Sequence, residues 1–203
     1  MRFRTWPVAA VGLGVGSLAA YAKEDQRWTF FEIDPAVERL ARRQEYFRHL
    51  ERCGTHCQVV LGDARLSLAA RSGERYGVIV LDAFSSDAIP IHLMTREALA
   101  VYLSRLSPDG ILAFHVSNRH LVLGPILANL AADAGLAAAE QVHQVTREEA
   151  ETGRSGSDWV LMSRDASAID TLLADERWVK LTPHPSAPLW TDDFSNILSV
   201  LRP

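Results

Sequence analysis

A glycine-rich segment near the amino terminus constrains the fold of this chain most. It reads Gly12-Leu13-Gly14-Val15-Gly16-Ser17 and follows an apolar run from Pro7 to Val11. A small-residue segment of helical character then leads to a second apolar run, Trp28 to Ile33. Strand, tight turn, helix and strand in this order predict a βαβ unit that binds an adenosine-containing cofactor at the edge of a parallel sheet.

The second apolar run carries an acid near its end. Glu32 lies 20 residues beyond Gly12, the spacing expected for a carboxylate that accepts hydrogen bonds from both ribose hydroxyls. Gly12 and Gly14 are expected to allow a sharp turn and close approach of the backbone to the ligand, and Gly16 to allow tight packing of the following helix. We therefore predict that Gly12, Gly14, Gly16 and Glu32 bind the cofactor.

Length and charge narrow the class of protein. The chain has 203 residues, of which 48% are hydrophobic and 23% charged, so we predict one globular domain over residues 1–203. A formal charge of −4 gives no electrostatic reason to expect nucleic acid as a partner.

The first 22 residues also resemble a secretory signal, because Arg2 and Arg4 precede an apolar stretch that ends Ala20-Tyr21-Ala22. Glycines at alternate positions are unusual in such a signal, and its removal would leave Glu32 without a first strand. No run of at least about 18 apolar residues occurs elsewhere, so we predict no membrane span. We therefore predict that the protein is cytoplasmic.

Two cysteines, Cys53 and Cys57, flank Gly54-Thr55-His56. A zinc site would need two further ligands at suitable spacing, and the chain has no second cysteine pair. We therefore predict two reduced thiols and no metal.

Strand-like and helix-like segments alternate along most of the chain, which predicts an α/β fold with a mainly parallel sheet. The further predicted strands are Val59 to Leu61, Tyr76 to Leu81, Ile111 to Val116, Val142 to Val145 and Trp159 to Met162. The polar segment from Arg147 to Ser157 is typical of a flexible loop.

Acids follow several predicted strands, where ligands bind in an open α/β sheet. Asp63 either accepts a hydrogen bond from the adenine amine or caps a helix. Asp82 ends a buried strand and can deprotonate an alkylammonium, a general-base role. Asp87, in the following loop, can hold a cation, although Ser85, Ser86 and Asp87 are also typical of a hydrogen-bonded turn.

These segments resemble a known family. The motifs Gly12-Leu13-Gly14-Val15-Gly16-Ser17, Glu32-Ile33-Asp34-Pro35, Gly62-Asp63-Ala64 and Asp82-Ala83-Phe84-Ser85-Ser86-Asp87 are similar to those of the spermidine synthase-like (polyamine aminopropyltransferase) family of class I S-adenosylmethionine-dependent transferases. The likeness is greatest to the catalytic part of bacterial fused membrane-domain spermidine synthases, and Leu189 to Asn196 shares it.

The resemblance implies a Rossmann-like class I methyltransferase fold: a mainly parallel seven-stranded sheet with helices on both faces and an antiparallel C-terminal hairpin. It implies aminopropyl transfer from decarboxylated S-adenosylmethionine to a polyamine such as putrescine, without a metal, and it is compatible with a homodimer. Since the chain begins almost at the first strand of the core, we expect the family's N-terminal β-stranded region to be absent from it.

The resemblance also implies residue roles. Glu32 would hold the ribose and Ile33 would pack on adenine, with Asp63 and the adjoining Ala64 at the adenine amine. Asp82 would deprotonate the attacking amine. Asp87, with Ser86, would orient the polyamine.

Two alternatives remain open. Val15 stands where the family usually carries an aspartate that binds the donor's ammonium, so a methyltransferase that uses intact S-adenosylmethionine is the first. The second is a nucleoside-binding module without catalysis. An oxidoreductase is a minor option, because the turn is G-x-G-x-G-S and not G-x-G-x-x-G.

Overall fold

The computed structural model describes residues 6–84, 90–118 and 120–201. Asp87 and Ser86 therefore lie outside the described residues. The described chain divides into two compact units. The first contains the residues up to Phe84 together with Val101–Leu112, and the second contains the remaining residues from Pro90 onward. Whether the chain acts as one domain over residues 1–203 stays a prediction.

The first unit contains the βαβ arrangement predicted from the glycine-rich segment. Its strands lie in the order β3-β2-β1-β4-β5, and three short helices accompany them. The strands are β1 (Val8–Val11), β2 (Trp28–Glu32), β3 (Cys57–Leu61), β4 (Tyr76–Leu81) and β5 (Leu106–His115), and the helices are α1 (Pro35–Ala41), α2 (His49–Cys53) and α3 (Ala64–Ala70). The predicted helical segment after the turn is a short 3-10 helix, Ser17–Tyr21.

Strand β1 lies at the centre of this unit and is buried along its whole length. It pairs in parallel with β2 on one side and β4 on the other, and β2 pairs in parallel with β3. Val11 lies level with Phe31 and with Leu81. Since the strands are parallel and in register, the residues that follow them meet at one edge of the sheet.

The second unit follows a different pattern. Its strands lie in the order β5-β7-β6-β8, where β5 and the helix α4 contribute residues to both units. Strand β6 pairs antiparallel with β7 and with β8. The elements are α4 (Arg96–Arg105), α5 (Gly124–Asp133), β6 (Ala137–His143), α6 (Arg147–Glu151), β7 (Ser157–Ser163), α7 (Ala166–Leu173) and β8 (Val179–Lys180).

The mixed α/β class and the antiparallel C-terminal hairpin are confirmed, with two differences. The described chain has eight strands, because the two-residue β8 extends the predicted seven. The segment from Arg147 to Ser157 is not wholly a loop, since α6 forms there under a capping box between Thr146 and Glu149. That box satisfies two otherwise unpaired backbone donors, which supports a helix of one turn.

The prediction of two reduced thiols is wrong in this structure, because Cys53 and Cys57 form a disulfide. Cys53 ends α2 and Cys57 begins β3, and the 3-10 turn Gly54–His56 lies between them. The turn brings the two Cα atoms to 5.6 Å, a separation that a disulfide spans. The spacing of the two cysteines in the sequence does not by itself predict that they pair.

Among residues 6–84, 90–118 and 120–201, no helix combines the length and the apolar character needed to cross a bilayer.

Candidate functional site

The candidate site is the edge of the first unit at which β1, β2, β3 and β4 end. Backbone hydrogen bonds continue past the strands there, and they hold the following residues side by side. All three bonds join a backbone amide to a backbone carbonyl. Gly12 donates to Phe31 (2.8 Å), Gly62 donates to Glu32 (2.9 Å), and Asp82 donates to Val11 (2.9 Å). The glycine-rich turn, Glu32, Asp63 and Asp82 therefore share one edge.

Gly12 is required by a close approach between two backbone segments. Its φ is +95°, and a Cβ atom at this position would lie 2.3 Å from the carbonyl oxygen of Asp82. An L-residue would meet both the unfavourable dihedral and this contact. The turn therefore passes directly over the end of β4, beside the residue predicted to be the general base.

The other two glycines of the turn differ from each other. Gly14 has a φ of +52° and is exposed, and a Cβ atom at this position would have no atom of a described residue other than its chain neighbours within 4 Å. At Gly16, with a φ of +80°, a Cβ would lie 3.2 Å from Cγ of Leu50. Gly16 thus permits close packing of a helix, as predicted, but the helix is α2 and not the segment that follows the turn.

Glu32 is buried, with 8% of its surface exposed, and its carboxylate is held by the backbone at both oxygens. Oε2 accepts a hydrogen bond from the amide of Leu13 (3.0 Å), and Oε1 accepts one from the amide of Asp34 (2.9 Å). Each carboxylate oxygen can accept more than one hydrogen bond. The arrangement fixes the carboxylate against the turn and leaves it chemically able to accept from a ribose diol.

The predicted adenine contacts lie on the neighbouring strand ends. Ile33 is 69% exposed, which is unusual for an isoleucine beside a buried strand. Asp63 caps α3, because its Oδ1 accepts from the amide of Leu66 (2.9 Å). Ala64 is the buried first residue of that helix. The capping interpretation of Asp63 is thus correct, and a role toward adenine remains a prediction.

Asp82 directly follows β4 and is partly buried. Its backbone is fixed from both sides, by the hydrogen bond to Val11 and by the contact with Gly12. The side chain of Asp82 is therefore attached to a fixed backbone at the shared edge, which suits a group that must lie close to a reacting atom.

Asp192, near the C-terminus, belongs to the second unit. Oδ1 of Asp192 accepts a hydrogen bond from the hydroxyl of Thr95 (2.7 Å), and the backbone amide of Asp192 donates to the Glu97 carboxylate (2.9 Å). These bonds fasten the segment to the start of α4. They account for Asp192 as a structural residue.

Within the described part of the chain, no group of three or more His, Cys, Asp and Glu side chains is placed to hold a metal ion. Sequence reasoning missed the hydrogen bond from Leu13 to Glu32. A buried acid 19 residues away from an amide in a glycine-rich turn gives no signal in the local pattern.

Comparison with known proteins supports the likeness in sequence. No model of a known protein family matches the chain. A polyamine aminopropyltransferase from Vibrio vulnificus is 37% identical over 110 residues, which are 52% of this chain and 36% of that protein. The matched region thus spans about a third of the relative's length. The chain resembles the polyamine aminopropyltransferases.

Solved structures share the fold. A probable spermidine synthase from Corynebacterium glutamicum matches with a TM-score of 0.60 and 19% identity, over 88% of this chain and 67% of that one. Human methyltransferase-like protein 13, solved with SAH, matches with a TM-score of 0.58 and 20% identity, over 85% and 81%. At these identities the likeness concerns the fold alone: the chain has a methyltransferase-like fold.

Proposed function

We propose that the protein is a polyamine aminopropyltransferase, which moves an aminopropyl group from decarboxylated S-adenosylmethionine to a polyamine such as putrescine. The observation that carries the proposal is the 37% identity to a polyamine aminopropyltransferase. The edge that joins the glycine-rich turn, Glu32 and Asp82 gives it a chemical basis.

The donor's adenosine would lie over the ends of β1 and β2. The Glu32 carboxylate, already oriented by the amides of Leu13 and Asp34, would accept hydrogen bonds from the ribose hydroxyls. Adenine would pack on the exposed Ile33, with its amine toward Asp63 and Ala64. Because the carboxylate is held before the ligand arrives, little ordering is needed on binding.

The reaction requires an amine nucleophile. The polyamine's ammonium would give a proton to the Asp82 carboxylate, and the freed nitrogen would attack the propyl carbon next to sulfur. A carbon–nitrogen bond forms and the carbon–sulfur bond breaks, with its electron pair passing to sulfur to give a neutral thioether nucleoside. Asp87 and Ser86, outside the described residues, would orient the polyamine.

A methyltransferase is the second candidate, and one observation favours it. The turn has Val15 where an acid would bind the ammonium of an aminopropyl donor, and a buried ammonium without such a partner is costly. Intact S-adenosylmethionine would need the same adenosine contacts but would transfer its methyl group.

An assay that pairs each donor with putrescine and with spermidine, and measures release of the thioether nucleoside, tests the proposal. We expect release with the decarboxylated donor, and a fall in kcat of about a hundredfold or more in Asp82→Asn with donor affinity unchanged. Methyl transfer from the intact donor would favour the second candidate. The absence of turnover with every pair, together with donor binding, would favour a nucleoside-binding module.

A further inference from the structure

A cavity in the first unit lies at the other end of its parallel strands. Its volume is about 440 Å³, within the roughly 300–1,000 Å³ that is typical of small-molecule sites. Trp28 and Tyr76, the first residues of β2 and β4, form part of its wall. It therefore opens at the sheet edge opposite the candidate transferase site and is distinct from it.

Two arginines line this cavity. Arg27 and Arg75 contribute to the wall, together with His56. Among the described residues, the side chains of Arg27 and His56 make no hydrogen bond or ion pair. Within the described ranges, the Arg75 side chain donates only long hydrogen bonds, at 3.4 Å, to two backbone carbonyls. The chain as a whole carries a formal charge of −4, so this clustering is a local property.

The carboxylate in the wall is already compensated. One oxygen of Glu74 pairs with the Arg71 guanidinium at 2.7 Å, and the other accepts from the Tyr76 hydroxyl at 2.6 Å. Burial, followed by this hydrogen bond, raises the pKa of Tyr76 to about 12, so the phenol stays a donor. The charge presented to a ligand is therefore positive.

The rest of the wall is mixed, with polar side chains at Thr29, Thr55 and Gln58 and apolar surface at Pro7 and Trp28. Thr55 and His56 come from the turn closed by the disulfide. The side-chain amide of Gln58 donates from Nε2 to the hydroxyl of Thr29 at 2.9 Å, and both residues line the cavity. A ligand that extends beyond the arginines therefore meets hydroxyl and side-chain amide groups, with which its own hydroxyl groups can form hydrogen bonds.

We propose that this cavity binds a phosphomonoester of a small hydroxylated molecule, with the phosphate held by Arg27 and Arg75. A guanidinium presents a planar pair of donors that fits phosphate oxygens in a bidentate manner. The cavity is larger than a phosphate ion, and its hydroxyl and amide groups match a sugar-like body. This site is independent of the proposed transferase activity.

Calorimetric titration with ribose 5-phosphate at constant ionic strength tests the site. We expect saturable binding to one site, weaker binding of inorganic phosphate, and no binding of ribose. Arg27→Gln should weaken binding by about tenfold or more, because a charge-assisted hydrogen bond is lost. The Arg27 side chain makes no hydrogen bond or ion pair with the described part of the chain, so this variant should fold normally, and Arg75→Gln should act in the same direction.

Two controls separate this site from others. Arg147→Gln, which removes an arginine with a 95% exposed side chain in the second unit, should bind as the wild type does. Glu32→Gln should also leave the affinity for ribose 5-phosphate unchanged, since Glu32 lies at the opposite edge. Absence of saturable binding, an affinity unaffected by Arg27→Gln, or one lost in Glu32→Gln would overturn the proposal.

Discussion

The site edge of the first unit and the C-terminal segment of the second are held in different ways. At the edge, the contacts join neighbouring strand ends. The backbone of Gly12 approaches that of Asp82 closely, and the Leu13 amide donates a hydrogen bond to the Glu32 carboxylate. In the second unit, Thr95 bonds to Asp192, 97 residues away. The strand ends that bring the first set of residues together follow from a motif of known geometry, although the Leu13–Glu32 hydrogen bond itself is not visible in the local pattern. The bond between Thr95 and Asp192 depends on where the chain returns after several elements, which no local pattern contains.

This difference predicts unequal sensitivity to small changes. The edge should be intolerant of added atoms, because backbone lies against backbone there. The second unit should respond as a sum of separate side-chain bonds, each of modest strength.

The largest effect is expected at Gly12. Gly12→Ala places a methyl group against the Asp82 carbonyl at an unfavourable φ, and should cost about 3 kcal/mol or more of unfolding free energy. Denaturant unfolding measures it. The matched control is Gly14→Ala, whose φ is also positive but whose surroundings are open, and which should cost about 1 kcal/mol. Equal costs would show that the close approach is unimportant.

The disulfide comes next. Opening the short loop between Cys53 and Cys57 by Cys53→Ser should cost about 2 kcal/mol, since the cross-link restricts the unfolded chain. Thermal unfolding with and without a reductant checks this. The wild type should lose stability on reduction and Cys53→Ser should not change. A wild type insensitive to the reductant would contradict the linkage.

A smaller effect is expected in the second unit. A double-mutant cycle of Thr95→Val and Asp192→Ala should give a coupling free energy of about 1 kcal/mol. Thr95 also accepts from the amide of Ala98, so Thr95→Ser, which keeps both bonds, is the control. Purely additive costs would mean that the long-range bond contributes nothing.

The smallest effect concerns Glu140 in β6. Burial, and then the nearby Asp158, raise the pKa of Glu140 above its ordinary value. The folded state then binds more protons than the unfolded one, so stability falls as pH rises from the ordinary carboxyl pKa to the raised one. Glu140→Gln should lack this fall, and should be more stable than the wild type at neutral pH but not in acid. If the stability of the wild type and that of Glu140→Gln changed with pH in the same way, the raised pKa of Glu140 would be contradicted.

Sequence reasoning reached most of the first unit because its information is local. The glycine spacing, the acid 20 residues on, and the apolar runs predicted β1, β2 and β4 and brought Gly12, Glu32 and Asp82 to one edge. The start of β6 was predicted too far along the chain, at Val142 instead of Ala137, because Ala137 to Ala139 carry little strand preference. Pairing with β7 determines that strand, and pairing partners are not visible in a single segment.

Calorimetric titration of decarboxylated S-adenosylmethionine and of intact S-adenosylmethionine into the wild type and into Glu32→Ala tests the central claim most directly. We expect one-site binding of an adenosyl donor, weakened at least about tenfold when the buried carboxylate is removed. If neither donor binds, or if Glu32→Ala folds and binds the donor as tightly as the wild type, the edge formed by β1 and β2 is not an adenosyl site.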